Sequence, residues 1–161
     1  MNASNPNDTN FICAAARKLI EGAIDNQSEK ELIYKTMEPI NYLKEYCTIS
    51  LKSGRQAGHS TAAVQLATKP SNKSEHSHVL LLRFLQKGAI KAPKVFACKL
   101  AKTSNIGNKL TSARGMQVEL VIVDNASMLS AKQLKDLRVE LLPHVTRSHY
   151  YNLPFTLLLL D

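Results

Sequence analysis

Three short, largely apolar runs constrain this chain most: Val79-Leu80-Leu81-Leu82, Val118-Glu119-Leu120-Val121-Ile122-Val123 closed by Asp124, and Phe155-Thr156-Leu157-Leu158-Leu159-Leu160. A strand with one wet face alternates apolar and polar residues. Runs that do not alternate belong in a sheet covered on both sides, the habit of parallel sheets flanked by helices. None approaches the ~20 apolar residues that a membrane-spanning helix requires. Shorter strand signals occur at Cys47 to Leu51 and Val95 to Leu100, and the Val79 run extends over His78 to Phe84.

The segments between these runs carry helical period. Phe11, Ile12, Ala15, Ala16, Leu19, Ile20 and Ala23 recur at helix spacing up to Ile24. Ser28 with Glu31 reads as a capping box opening a second helix to about Lys44, bent or divided at Pro39. His59 to Ala67 has helical character, and Ser130 caps a helix over Ala131 to about Leu142 that Pro143 stops. Thr103 to Met116 reads as a loop. Residues 1–10 are polar and turn-rich and form a leader without a hydrophobic period. The expectation is one α/β domain over 11–161, with a mostly parallel sheet of four to five strands and an N-terminal helical pair in 11–45.

Charge narrows the partners. Twenty-one Lys and Arg against 13 Asp and Glu give +8, which suits polyanions such as nucleic acid or nucleotides. Within Lys52 to Val118 twelve basic residues face Glu75 alone, so that stretch carries +11 and the remainder is net acidic. Lys87, Lys91, Lys94, Lys102, Lys109 and Arg114 are the candidate phosphate-backbone contacts, though no aromatic residue is interleaved among the lysines for base stacking. The three cysteines are odd in number and widely spaced, and no basic-then-apolar leader precedes them. A reduced, cytoplasmic protein without membrane attachment is expected. His76, His78, His144 and His149 lack metal-ligand spacing and read as packing or surface histidines.

The most specific chemistry lies between the first strand and the helix after it. In Ser53-Gly54-Arg55-Gln56-Ala57-Gly58-His59-Ser60-Thr61, small residues let the backbone approach an anion, and the following helix turns its first amides toward it. Against G-x-x-x-x-G-K-[ST], Ser53 takes the first glycine position, Gly58 the second, His59 the lysine position and Ser60 the hydroxyl position. Some 60 residues downstream, Val121-Ile122-Val123-Asp124 presents an acid at the end of an apolar strand, the way a metal-binding carboxylate is offered to a nucleotide's ion. Ser60 and Asp124 are thus the candidate metal pair, and Gly54, Arg55, Gln56, Ala57, Gly58, His59, Ser60 and Thr61 the candidate phosphate loop.

Together these segments, with Thr48-Ile49-Ser50-Leu51 before the loop and Asn125-Ala126 after the acid, resemble the ATPase domain of phage large terminase subunits and related helicase-like P-loop proteins. That family carries R-Q-x-G-K-[ST] and an apolar D-E-A segment. The resemblance follows element order from Tyr46 to Asp161, but its specific content is the two short motifs. It implies a P-loop fold and ATP or another NTP with Mg²⁺ as cofactor. It further implies adenine contacts from Glu38 to Tyr46, and a coupling residue near the end of Phe155 to Asp161.

Two departures alter the implied activity. The lysine that meets the phosphates is His59 here, so a permanent cation becomes an imidazole whose charge depends on pH. Arg55 or Lys52 would have to supplement it. The glutamate that activates water is Asn125, whose amide cannot accept that proton. The expected protein is a catalytically impaired, phage-type nucleotide binder acting as an accessory or regulatory factor on nucleic acid, with a phage or host protein as a further partner. The alternatives are a weak ATPase using another base, such as Asp161, and a non-enzymatic assembly protein that uses its basic face.

Overall fold

The structure, a computed structural model, describes residues 11–53, 58–68, 77–83, 98–101 and 117–161. The helices are α1 (Phe11–Glu29), α2 (Glu31–Thr36), α3 (Pro39–Tyr42), α4 (His59–Thr68) and α5 (Ala131–Tyr150). The strands are β1 (Thr48–Leu51), β2 (Ser77–Arg83), β3 (Cys98–Ala101), β4 (Gln117–Asp124) and β5 (Thr156–Leu160). A π-helical turn over Leu43–Cys47 leads into β1, and a 3₁₀ turn over Ala126–Met128 follows β4.

The strands form one sheet in the order β1-β5-β4-β2-β3, every pairing parallel. Helices cover both faces, which is why the apolar runs do not alternate. On one face Ile12, Ala16 and Ile20 of α1 and Ala62, Ala63 and Leu66 of α4 pack on Val79, Leu81, Leu120, Ile122, Leu158 and Leu160. On the other, Leu137, Leu141 and Val145 of α5, with Tyr42, Leu43 and Cys47, pack on Leu80, Leu82, Val121, Val123, Leu157 and Leu159.

One irregularity sets the phase of β4. His78 pairs with Val118 but Val79 pairs with Leu120, so Glu119 is the extra residue of a bulge. Leu120, Ile122 and Asp124 therefore share the face that α4 covers, and Val121 and Val123 take the opposite one. Without the bulge, Val118 and Val121 could not lie on the same face, because side chains alternate along a strand.

Two helix boundaries differ from the sequence expectation. Ser28 is no N-cap: α1 runs on to Glu29, and the Ser28 hydroxyl donates to the Ile24 carbonyl at 3.0 Å within the last turns of the helix. Helix α2 begins after Lys30 without a side-chain cap, whereas Pro39 opens α3, so the division at that proline stands. Pro143 does not end α5, which continues to Tyr150. The proline sits on the solvent side, while Leu137, Leu141, His144, Val145 and Ser148 keep one buried stripe on both sides of it. Burying that stripe outweighs the roughly 3 kcal/mol cost of an interior proline. At its start, α5 has the reciprocal capping box expected of Ser130, paired with Gln133. No described helix is long and apolar enough to cross a membrane.

Candidate functional site

The register brings four strand ends to one level: Leu51 pairs with Leu160, Leu160 with Asp124, and Asp124 with Arg83. From this edge β1 leaves through α4 toward β2, while β4 leaves through α5 toward β5, in the opposite direction and on the opposite face. Chains that depart to opposite faces open a crevice at the carboxyl edge, here above the end of β5. The segment after β1 and the turn after β4 flank it across two strand spacings, about 10 Å.

The entry to the loop is tied to β5. Asp161 N–H donates to Leu51 O at 3.0 Å, and Ser53 returns two bonds to Asp161 O, from its amide at 2.6 Å and its hydroxyl at 3.0 Å. The side chain of Asp161 reaches the other way, its Oδ1 accepting Ser127 N–H at 2.7 Å in the turn after β4. Asp161 thus clamps both walls of the crevice, and its carboxylate serves as a turn cap.

At the far end of the loop, Gly58 has φ 84° and its carbonyl accepts the Ala62 amide at 2.9 Å, opening α4. That positive φ is the physical need for glycine at this position. Helix geometry then turns the amides of the first residues of α4 toward the crevice, with the positive end of the helix dipole.

Four side chains meet there. Asp124 is fully buried, and its Oδ1 accepts the Ser60 hydroxyl at 3.1 Å. His59 Nε2 lies 3.6 Å from the same oxygen and 2.9 Å from Asn125 Oδ1, which accepts from the Nε2–H tautomer. His59 Nδ1 is buried without a hydrogen-bond partner among the described residues. Asn125 stands in the left-handed region, φ 60° and ψ 52°, a conformation asparagine tolerates better than most residues. That bend returns its amide toward α4.

Of the residues singled out from sequence, the structure brings together Gly58, His59, Ser60 and Asp124, with Thr61 in the same helical turn. Gly54, Arg55, Gln56 and Ala57 lie outside the described residues, as do Lys87, Lys91, Lys94, Lys102, Lys109 and Arg114. The segment Glu38 to Tyr46 precedes β1 and lies at the amino edge of the sheet, separated from the carboxyl edge by the length of β1, about 13 Å at 3.3 Å per residue. Its tyrosines pack on each other and on α2: Tyr42 stacks on Tyr46 at 5.3 Å and meets Tyr34 of α2 edge-on at 4.9 Å, and Tyr34 in turn stacks on His149 of α5 at 3.5 Å. Sequence reasoning missed the His59–Asn125 bond and the two-sided clamp of Asp161. The Asp-Asn pair after an apolar run was the available signal for a left-handed turn.

Other reactive groups are quiet. Cys13 and Cys47 are buried, and burial pushes the Cys47 thiol up to about 12, so it offers no thiolate. Burial, then the neighbouring Cys47, Tyr34 and Tyr46, also raises the Tyr42 hydroxyl to about 12. No three His, Cys, Asp or Glu side chains among the described residues group to hold a metal. No protein-family model, no curated protein and no solved structure matches the chain.

Proposed function

We propose that this chain is a P-loop-derived nucleotide-binding protein, impaired in hydrolysis, that acts as an accessory or regulatory factor on nucleic acid. The observation that carries the reading is the 3.1 Å contact between the Ser60 hydroxyl, in the first turn of α4, and the buried Asp124 carboxylate at the end of β4. A hydroxyl and a carboxylate so placed beside a helix N-terminus are a donor set for a hard divalent ion next to a phosphate. The backbone around Gly58 to Thr61 would hold the phosphate, and Ser60 and Asp124 the ion. A bound Mg²⁺ would neutralise phosphate charge there.

The same geometry supports impairment. His59 is turned onto Asn125 and Asp124, so it brings no permanent cation to the phosphates. Asn125 cannot take a proton from water, and the Asp161 carboxylate is engaged with Ser127 N–H. The nucleic-acid part of the reading rests on charge, +11 over residues 52–118.

The test is a calorimetric titration of Mg·ATP into the full chain and into His59→Lys, beside a fluorescence-anisotropy titration with single- and double-stranded DNA and RNA at two salt concentrations. Weak binding by the wild type, tightened at least about tenfold by the lysine, is expected, since it restores a charged phosphate contact worth about 1.5–3 kcal/mol. Nucleic-acid affinity should fall steeply as salt rises. No Mg·ATP binding by either protein at millimolar ligand would overturn the nucleotide reading. Salt-sensitive nucleic-acid binding alone would then leave a non-enzymatic interaction protein.

A further inference from the structure

We propose that the outward face of α5 is a self-association surface, on which α5 of a second copy of this chain lies antiparallel about a two-fold axis close to Pro143 and Thr146. The contact needs neither nucleotide nor nucleic acid, and it stands independently of the phosphate-loop reading.

Helix α5 carries two apolar stripes where a helix lying on a sheet needs one. Leu137, Leu141, His144, Val145 and Ser148 are buried toward the sheet. On the far side Val139, Leu142, Pro143, Thr146 and Tyr150 recur at i, i+3, i+4, i+7 and i+11 and line an open groove together with Arg147 and Tyr151. Val139 is 50% exposed, Tyr150 81% and Tyr151 55%. Tyrosine and arginine are the residues that most often carry the energy of a protein contact, and two tyrosines this exposed present on the order of 300 Å² of amphipathic surface.

The charges on this face select a second copy as the occupant. The carboxylates of Asp136 and Glu140 lie in its amino-terminal half and the Arg147 guanidinium in its carboxyl-terminal half. Glu140 and Arg147 are two turns apart, about 10 Å along the axis, and they do not pair within the chain. Among the described residues no ion pair includes Asp136, Glu140 or Arg147, and the guanidinium instead lies 6.0 Å over the Tyr151 ring. Asp136 and Glu140, four residues apart on one helix, also repel each other until a cation is brought to them. A parallel neighbour would set like charges level with like. An antiparallel neighbour sets Glu140 against Arg147, Asp136 against the Tyr151 hydroxyl and Val139 against the Tyr150 ring, each pair occurring twice by symmetry. The midpoints of these three pairs all fall between residues 143 and 145, so a single axis serves them together. One helix face buries less than the roughly 1,600 Å² of a standard interface, and the dimer should accordingly be weak, on the order of 10–100 µM.

The experiment is sedimentation velocity on the full chain from low micromolar to several hundred micromolar, without nucleotide or nucleic acid. A monomer–dimer equilibrium is expected, and Tyr150→Ala should weaken it at least about tenfold. Glu140→Arg and Arg147→Glu should each weaken it at least about fivefold, since each creates a like-charge contact twice, and the double variant should return to within about twofold of wild type. Phe11→Ala, which removes a ring 82% exposed at the start of α1, should change nothing. Circular dichroism checks that each variant keeps its fold. A chain that stays monomeric throughout overturns the surface. So does a dimer indifferent to Tyr150→Ala, a dimer weakened equally by Phe11→Ala, or a double variant no tighter than the single ones. If the chain is monomeric and Tyr150→Ala instead lowers affinity for single-stranded DNA, the face is a base-stacking platform and the proposal falls.

Discussion

Replacing Asp124 by asparagine keeps the shape of the side chain and removes its charge, which separates what the carboxylate does for the fold from what it does for a ligand. In the wild type its Oδ1 accepts the Ser60 hydroxyl at 3.1 Å from a fully buried position. A hydrogen bond to a charged acceptor contributes about 1.5–3 kcal/mol and a neutral one about 0.5–1.5, so the exchange costs about 1–1.5 kcal/mol. The new amide also brings N–H donors into a buried place shaped for an acceptor, adding about 1–3 kcal/mol where they find none. The sum, about 2–4.5 kcal/mol, exceeds ordinary surface substitutions but leaves a protein of usual stability folded.

With a urea slope of about 2 kcal/mol/M, the unfolding midpoint of Asp124→Asn should fall by about 1–2 M. Binding should suffer more. Loss of the carboxylate that accepts from Ser60 removes a charged ligand of any divalent ion held there, and Mg·ATP affinity, measured by calorimetry on the folded variant, should drop at least about tenfold. A midpoint within 0.3 M or so of wild type would show that Asp124 makes no charged hydrogen bond. An unchanged Mg·ATP affinity would remove the carboxylate from the ligand site altogether.

Two further predictions test the backbone and the buried histidine. Gly58→Ala places a side chain at φ 84° and should destabilise by about 1–2 kcal/mol in urea, whereas Gly22→Ala, exposed within α1 with nothing within 4 Å of the added carbon, should stabilise by about 0.5–1 kcal/mol. Equal effects at the two sites would refute the conformational argument. Burial, then the Arg147 guanidinium, holds His144 below the ordinary imidazole value, and burial with Lys35 lowers His149 against the raising influence of Glu31. The unfolded chain takes up these protons first, at about 6.5, so stability is full above that pH and declines as pH falls from there through the lower folded values. The urea midpoint should be higher at pH 7.5 than at pH 5.5, and His144→Gln should flatten the difference; an unflattened profile would assign the dependence to other groups.

Much of the fold was legible because it follows from apolar runs. The Val79, Val118 and Phe155 segments became β2, β4 and β5, and the helical character of His59 to Ala67 became α4. What failed was judged from local chemistry where tertiary burial decided. Pro143 is a helix breaker by propensity, yet Val145 and Ser148 behind it are buried on the stripe that Leu137 and Leu141 begin. Ser28 and Glu31 have capping-box spacing, yet Ile24, one turn earlier, takes the hydroxyl because α1 is still helical there. The bulge at Glu119 had no sequence signal, and it decides which face Asp124 occupies.

The site was legible as two motifs and not as a contact. In sequence, His59 for lysine and Asn125 for glutamate are separate losses, one of phosphate charge and one of a base. In space they are one event, because Nε2 and Oδ1 meet at 2.9 Å. The backbone makes the pairing specific: glutamate at φ 60° would be strained by about 1–2 kcal/mol, whereas asparagine accepts the left-handed turn and returns its amide to α4. Among the described residues, the carboxylate beside the His59 position is that of Asp124, which already accepts from Ser60. The two departures from the phosphate-loop pattern therefore support each other physically, and a chain carrying either one alone would leave a buried polar group less well matched than this chain does.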